Sequence, residues 1–143
     1  MGIEENKASL LRMVEEVWNK GNIELLPELV SLDYFEPAGI GNNIIGLEGI
    51  KQHVTSLRAA FSDFKMMIDE MVCDGDEIAT QLTWGGTFKQ EYRGIKPNNK
   101  LITIKEAVFF YFKDAKQVMV IPYTSPNTPL LVLMGVNPPN GRD

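Results

Sequence analysis

The chain has 143 residues, 44% of them hydrophobic and 23% charged, and 19 acidic against 14 basic side chains give a formal net charge of −5. That length fits one domain over residues 1–143 with room for a sizeable core, and the composition is that of a globular protein rather than a fibrous or disordered one. Lys and Arg are scattered, never three together, so nucleic acid, whose backbone selects clustered positive charge, is excluded as a partner.

Residue types exclude further classes. One histidine, His53, and one cysteine, Cys73, with no close carboxylate cluster beside them, cannot build a typical zinc or non-haem iron site. Phosphate cradles and hydrolase elbows need GxGxxG, GxxxxGK[ST] or GxSxG, and none occurs. No metal is therefore expected. A lone Cys73 forms no intramolecular disulfide and points to a reducing compartment. No basic segment followed by an apolar run is present, and no apolar stretch approaches the roughly 20 residues that span a bilayer. The expectation is a cytoplasmic protein with no membrane association.

In chain order, "ENKASLLRMVEEVWNKGN" carries apolar residues at 10, 11, 13, 14, 17 and 18, which predicts a helix stopped by Gly21. "IELLPELVS" predicts a short second helix with Ile23, Leu26 and Val30 on one side. Pro27 fits in its first turn, with Asn22 as the cap. "LDYFEPAGIGNNIIG" reads as a brief strand and a Gly-rich loop. A third helix runs from near Leu47 to about Phe61 with Ile50, His53, Val54 and Leu57 on one face. Beyond Asp63, "DFKMMIDEMVC", "EIATQLTWGGTF", "LITIKEAVFFYF" and "KQVMVIPYT" predict four strands. They are separated by Asp74-Gly75-Asp76, Pro97-Asn98-Asn99 and Asp114-Ala115. "PLLVLMGV" predicts a short terminal helix, and residues 137–143 a frayed tail.

Helices first and strands last define an α+β fold, with helices on one face of an antiparallel sheet. A sheet of this kind that curls leaves a cone whose mouth can hold a ligand. In "LITIKEAVFFYF" both alternating sets are largely apolar, so the outer face is too oily for solvent. A homodimer through that outer sheet face is expected.

"NKASLLRMVEEVWNKGNIELLPELVSLDYFEP", "GLEGIKQHVTSLRAAFSDFKMMIDEMVCDGDEIATQLTWGGTF" and "EYRGIKPNNKLITIKEAVFFYFKDAKQV" together resemble SnoaL-like polyketide cyclases, within the nuclear-transport-factor-2-like superfamily. The resemblance spans about residues 6 to 136. It implies a cone-shaped α+β fold, commonly dimeric, with an enclosed apolar pocket and no cofactor. The superfamily also holds isomerases, epoxide hydrolases and binding-only modules, so the fold alone does not fix a reaction.

The stretch "GGTFKQEYRGIKPNNK" departs from that family. Relatives often read Gly-Thr-His where Gly86-Thr87 is followed by Phe88. Relatives often place an acid then His after the second helix, whereas Glu36 is followed by Pro37. Near the last strand an Asp is common, and here "YTSPN" offers Ser125 and Pro126. The resemblance thus implies a cone that has lost much of the family's acid-base equipment.

Chemistry at carbon beside a carbonyl needs a base and a donor for the enolate oxygen. His53 titrates near neutrality and is one catalytic candidate, with a hydrogen-bonded core histidine as the alternative. Glu106 interrupts an apolar strand in phase with Ile104 and Val108 and is the preferred acid or base, against a solvated or ion-paired reading. Glu36 is a weaker candidate. Tyr34, Tyr92 and Tyr123 can donate to a carbonyl, and the resemblance puts Tyr34 and Tyr92 at pocket positions. Gln81, where relatives often carry Arg, Phe88 and Trp18 complete the expected substrate-binding set, with Trp18 and Trp84 forming pocket wall or core. Met66, Met67 and Met71 would line the cavity pliably. The function expected is a cofactor-independent cyclase or isomerase acting on a small hydrophobic polyketide- or terpenoid-like molecule. The alternatives are a non-catalytic ligand-binding protein and an epoxide-hydrolase-like enzyme, although no Asp-Arg-Asp cluster supports the latter.

Overall fold

The computed structural model describes residues 2–37 and 43–123. Helix α1 (Ile3–Arg12) continues into a π-helical turn (Met13–Trp18), and a 3₁₀ turn (Ile23–Leu25) leads into α2 (Leu26–Leu29). Then come β1 (Val30–Glu36), β2 (Ile44–Ile45), α3 (Gly46–Ala60), β3 (Lys65–Asp74), β4 (Glu77–Thr87), β5 (Leu101–Lys113) and β6 (Lys116–Tyr123). The strands form one curved, unclosed sheet in the order β2-β1-β6-β5-β4-β3. The α+β order matches the sequence pattern. The sheet is mixed rather than wholly antiparallel, because β1 runs parallel to β6. The expected terminal helix and frayed tail lie outside the described residues, as do Ser125 and Pro126. Among the described residues no helix is long and apolar enough to cross a membrane.

The helices pack into the concave face of the sheet around one contiguous core. Leu10, Met13, Val14 and Val17 are buried from the first helix, while Leu11 on its other side is exposed. Gly21 ends the helix at φ +79°, its amide donating to the Val17 carbonyl at 2.9 Å. A side chain there would meet Arg58 Nε at 2.8 Å, and Arg58 itself donates to the Trp18 carbonyl at 2.7 Å. Asn19 then hydrogen-bonds both the amide and the carbonyl of Met66, at 2.7 and 2.9 Å, docking the helix end on edge strand β3. Pro27 sits in the first turn of α2. Asn22 does not cap that turn, because its side chain donates instead to Glu16 Oε1 at 2.9 Å.

β4 meets its neighbours most closely at Gly85-Gly86. A Cβ on Gly85 would stand 1.9 Å from the Ile102 carbonyl oxygen, and one on Gly86 2.7 Å from Asp63 Oδ1. Only glycine lets the backbone approach so closely. The Asp63 carboxylate then accepts from the Thr87 amide and hydroxyl at 2.7 and 2.9 Å, tying the end of β4 to the turn after α3.

Replacement of Gly85 by alanine therefore forces two ladder strands apart. Gly85→Ala is expected to destabilise the fold by at least about 2 kcal/mol, read as a lowered midpoint in urea unfolding. An unchanged midpoint would mean that β4 and β5 are not in such close contact.

Candidate functional site

The concave sheet face and the overlying helices enclose a cavity of about 170 Å³. Its apolar wall comes from residues such as Leu10, Val14, Ile50, Val108 and Phe110. Into that wall are set two carboxyls, an imidazole, a carboxamide, two phenols and a guanidinium.

Glu106 reaches the cavity through the period of β5. Ile102, Ile104, Val108, Phe110 and Phe112 are all buried on one face, and Glu106 shares their phase. Leu82 is its ladder partner on β4 and Ile104 pairs with Trp84, so the indole lies one inward position away. Trp84 Nε1 donates to Glu106 Oε1 at 2.8 Å. The same indole stacks on Phe64, with ring centroids 5.8 Å apart, and Phe64 stacks on Trp18 at 5.5 Å. Trp18 meets His53 edge to face at 5.6 Å. An aromatic row thus joins the carboxyl on β5 to the imidazole on α3.

The second carboxyl belongs to β1. Tyr34 is buried, and its Oη donates to Glu36 Oε1 at 2.5 Å. Burial, the largest effect, together with the nearby Glu106 charge, pushes Glu36 up to about 7, against the opposing pull of the Tyr34 hydrogen bond. Burial also raises Glu106, opposed by the Trp84 donor. Tyr34 is held well above its ordinary value by burial and by Glu36. His53 moves the other way. Burial first, and the positive charge of Arg93 second, depress it to about 4, so its ring is neutral at pH 7, and its Nδ1 is buried without a hydrogen-bond partner.

Of the residues expected from the sequence, His53, Glu106, Trp18, Tyr34, Glu36 and Tyr92 all line this one cavity. Three do not. Gln81 is exposed, because it shares the outward phase of Ala79 and Thr83 on β4. Phe88 has no exposed surface and is consumed by packing, pairing with Phe61 across a β-bridge with ring centroids 5.6 Å apart. Tyr123 is 56% exposed on the outer sheet face, its ring set edge to face against Phe109 at 5.4 Å. Among the methionines, Met66 lines the cavity, whereas Met67 points outward.

Two polar residues were not foreseen. Arg93 sits at the tip of the tight turn closed by the Tyr92–Ile95 pair, at φ +50°, with its guanidinium 5.5 Å from the Tyr92 ring centre. "YRGI" carries a turn signal in Gly94, but nothing in it tells that the turn folds over a cavity. Gln117 is 1% exposed and lines the cavity from β6. Simple alternation would put Gln117 on the same face as Met119 and Ile121. The ladder slips, however, pairing Tyr111 with Met119 but Phe112 with Gln117. The extra residue of this β-bulge turns Gln117 inward.

A model of the SnoaL-like polyketide cyclases matches residues 8–121, and the chain belongs to that family. Among solved structures it is similar to a candidate polyketide cyclase from Acidithiobacillus ferrooxidans, at 27% identity and a TM-score of 0.74 over 93% of this chain and 97% of that one. A SnoaL-like candidate polyketide cyclase from Jannaschia sp. CCS1 shares the fold at 18% identity, with a TM-score of 0.80 over 94% and 92% of the two chains. So does AclR, a candidate hydroxylase from Streptomyces galilaeus, at 22% identity and a TM-score of 0.76 over 94% and 98%. No curated protein matches the chain.

Glu36 and His53 act on stability in opposite senses. Between its ordinary value near 4.5 and about 7, Glu36 keeps a proton in the folded state that the unfolded chain has lost, so stability falls as pH rises. Between about 4 and 6.5 the unfolded chain protonates His53 while the folded one does not, so stability rises with pH. Each displacement of about 2.5 pH units is worth up to about 3 kcal/mol. Removing one leaves the other uncovered. Glu36→Gln is expected to gain stability by that amount from pH 4 to 6.5, and His53→Gln to lose it from pH 4.5 to 7. Urea midpoints across that range check both, and parallel pH profiles for the two variants would refute the assignment.

Proposed function

We propose that the chain is a cofactor-independent cyclase or isomerase whose proton transfers run between Glu106 and Glu36, acting on a hydrophobic, enolisable polyketide- or terpenoid-like carbonyl compound. The observation that carries this reading is the pair of carboxyls facing one cavity, each held by a different donor, Trp84 Nε1 for Glu106 and Tyr34 Oη for Glu36. Two carboxyls whose surroundings separate their proton affinities divide into an acid and a base.

Both donors favour the ionised carboxylate, so the roles follow from burial and the neighbouring charge, which raise Glu36 together. Glu106 takes a proton from carbon beside the substrate carbonyl. Glu36, pushed up to about 7, is protonated in about half of the molecules at neutral pH, and in that form it gives its proton to the carbonyl oxygen, forming the enol. In a cyclase the enol carbon attacks a second carbonyl of the same molecule, and the new alkoxide takes the proton held by Glu106 as Glu36 recovers one from the enol hydroxyl. In an isomerase the proton returns to a different carbon. Either sequence conserves every atom and electron. A neutral His53 fits a wall group that orients substrate better than it fits a proton carrier, and an apolar enclosure supplies orientation besides.

The reading extends to assembly. A second copy would cover the outer sheet face, which presents Tyr123 and Leu101 exposed and Phe109 partly so. Such burial of aromatic and aliphatic surface is characteristic of stable dimers. Sedimentation of the purified protein is expected to give twice the chain mass.

Proton abstraction is tested with benzylacetone in heavy water, following loss of the signals beside the carbonyl by nuclear magnetic resonance. The protein is expected to accelerate exchange above the buffer rate. Glu106→Gln should lower that rate at least about 10²-fold, and Glu36→Gln at least about 10-fold. Exchange no faster than buffer, or equal rates in all three proteins, would replace the enzyme with a ligand-binding module.

A further inference from the structure

Gln117 is the polar group of the cavity that acid-base chemistry leaves unused. It lies toward the α1 end of the cavity, nearer the level of Glu36 than that of Glu106: Phe35, beside Glu36, pairs with Met119, two residues from Gln117 on β6, on the order of 7 Å of backbone. Its ladder partner on β5 is Phe112, six residues along the strand from Glu106, on the order of 20 Å of backbone. That end is shut by α1. Asn6 donates to Asp76 Oδ1 at 3.0 Å, and the Asp76 carbonyl accepts from the Phe112 amide at 2.8 Å. The Gln117 carboxamide stands there at 1% exposure, facing the cavity, and its Nε2 has no hydrogen-bond partner.

An apolar residue would fill the position at less cost, since a buried amide nitrogen without a partner destabilises a core. A bulged strand is needed to turn it inward. Persistent burial of a group that the protein itself does not satisfy is what a recognition site looks like before its ligand arrives.

The cavity also limits the ligand's width. At about 170 Å³ it is close to the roughly 150 Å³ space that accepts a single benzene molecule. A space of that size takes one ring wholly inside, and a larger molecule extends through the mouth.

Resting on the carbonyl chemistry proposed above, we infer that Gln117 determines specificity at the closed end: the substrate is a slender, one-ring-wide ketone carrying a second oxygen function, a hydroxyl or carbonyl, at the end that points toward α1. The carboxamide suits either form, because it offers both a donor and an acceptor. The reacting carbonyl lies between Glu106 and Glu36, and the second oxygen is read by Gln117.

The test uses matched ketones, para-hydroxybenzylacetone and para-methylbenzylacetone, which differ in a hydroxyl for a methyl. Dissociation constants are measured by calorimetry for the native protein and for Gln117→Leu, with melting temperatures alongside. The native protein is expected to prefer the hydroxy ketone about 10-fold. Gln117→Leu should abolish or invert that preference while melting no lower than the native protein. A preference unchanged by Gln117→Leu overturns the inference, as does a fall in melting temperature with the preference intact, which would make Gln117 a structural group. Absence of binding by both ketones to folded native protein overturns the size assignment. Exchange in heavy water separates this from the catalytic reading. Discrimination lost in Gln117→Leu, together with no native exchange, sinks the chemistry and keeps the recognition. Exchange with a preference independent of Gln117 does the reverse.

Discussion

A carboxyl group turned toward an apolar cavity must either give up its charge or be given a donor, and the inner face of this sheet is arranged around that constraint. Charge in such surroundings is costly enough that an unpaired buried ion shifts its proton affinity before it unfolds the protein. Here Glu106 has the Trp84 indole and Glu36 the Tyr34 phenol. Trp84 is in turn fixed by the stack through Phe64 to Trp18, and Trp18 by the helix end that Asn19 and Arg58 secure. The position of one oxygen on β5 is therefore set by contacts reaching back to the first helix.

The fold was largely legible in the sequence because its signals are periodic. Alternation over "LITIKEAVFFYF" put Glu106 among the inward residues, and the structure has it there. The same alternation in "EIATQLTWGGTF" places Gln81 with Ala79 and Thr83, outside, and that is where it lies. Expecting Gln81 in the cavity gave a relative's residue more weight than the pattern. Phe88 was misplaced for a similar reason. The position where the resemblance implies a pocket residue is core here, packed on Phe61.

What stayed hidden depended on register and depth. The inward turn of Gln117 arises from a slip between β5 and β6 that no local pattern announces. A second irregularity, in the β1–β6 pairing between Val30 and Phe35, leaves Leu32 exposed although it is two residues from buried Tyr34. The raised proton affinity of Glu36 is not legible in the sequence, because it comes from partners remote along the chain, above all the wall that buries it and the charge of Glu106 seventy residues on. Sequence shows that a carboxyl is present; only the folded chain shows what surrounds it.

The opposed shifts of Glu36 and His53 follow from one physical cause acting on two kinds of acid. Burial disfavours charge, so it raises a carboxylic acid and depresses an imidazolium. Placing one of each in the same cavity makes their pH-dependent contributions to folding nearly cancel between about pH 4.5 and 6.5. A cavity lined by two carboxyls alone would have lost stability steadily as pH rose toward neutrality. With His53 in the wall, the loss from Glu36 is flattened over that range by a penalty that the buried imidazole adds at lower pH, while Glu106, also raised by burial, still contributes a fall with rising pH. The buried imidazole thus evens out the pH dependence of the cavity's cost without lowering that cost at any pH.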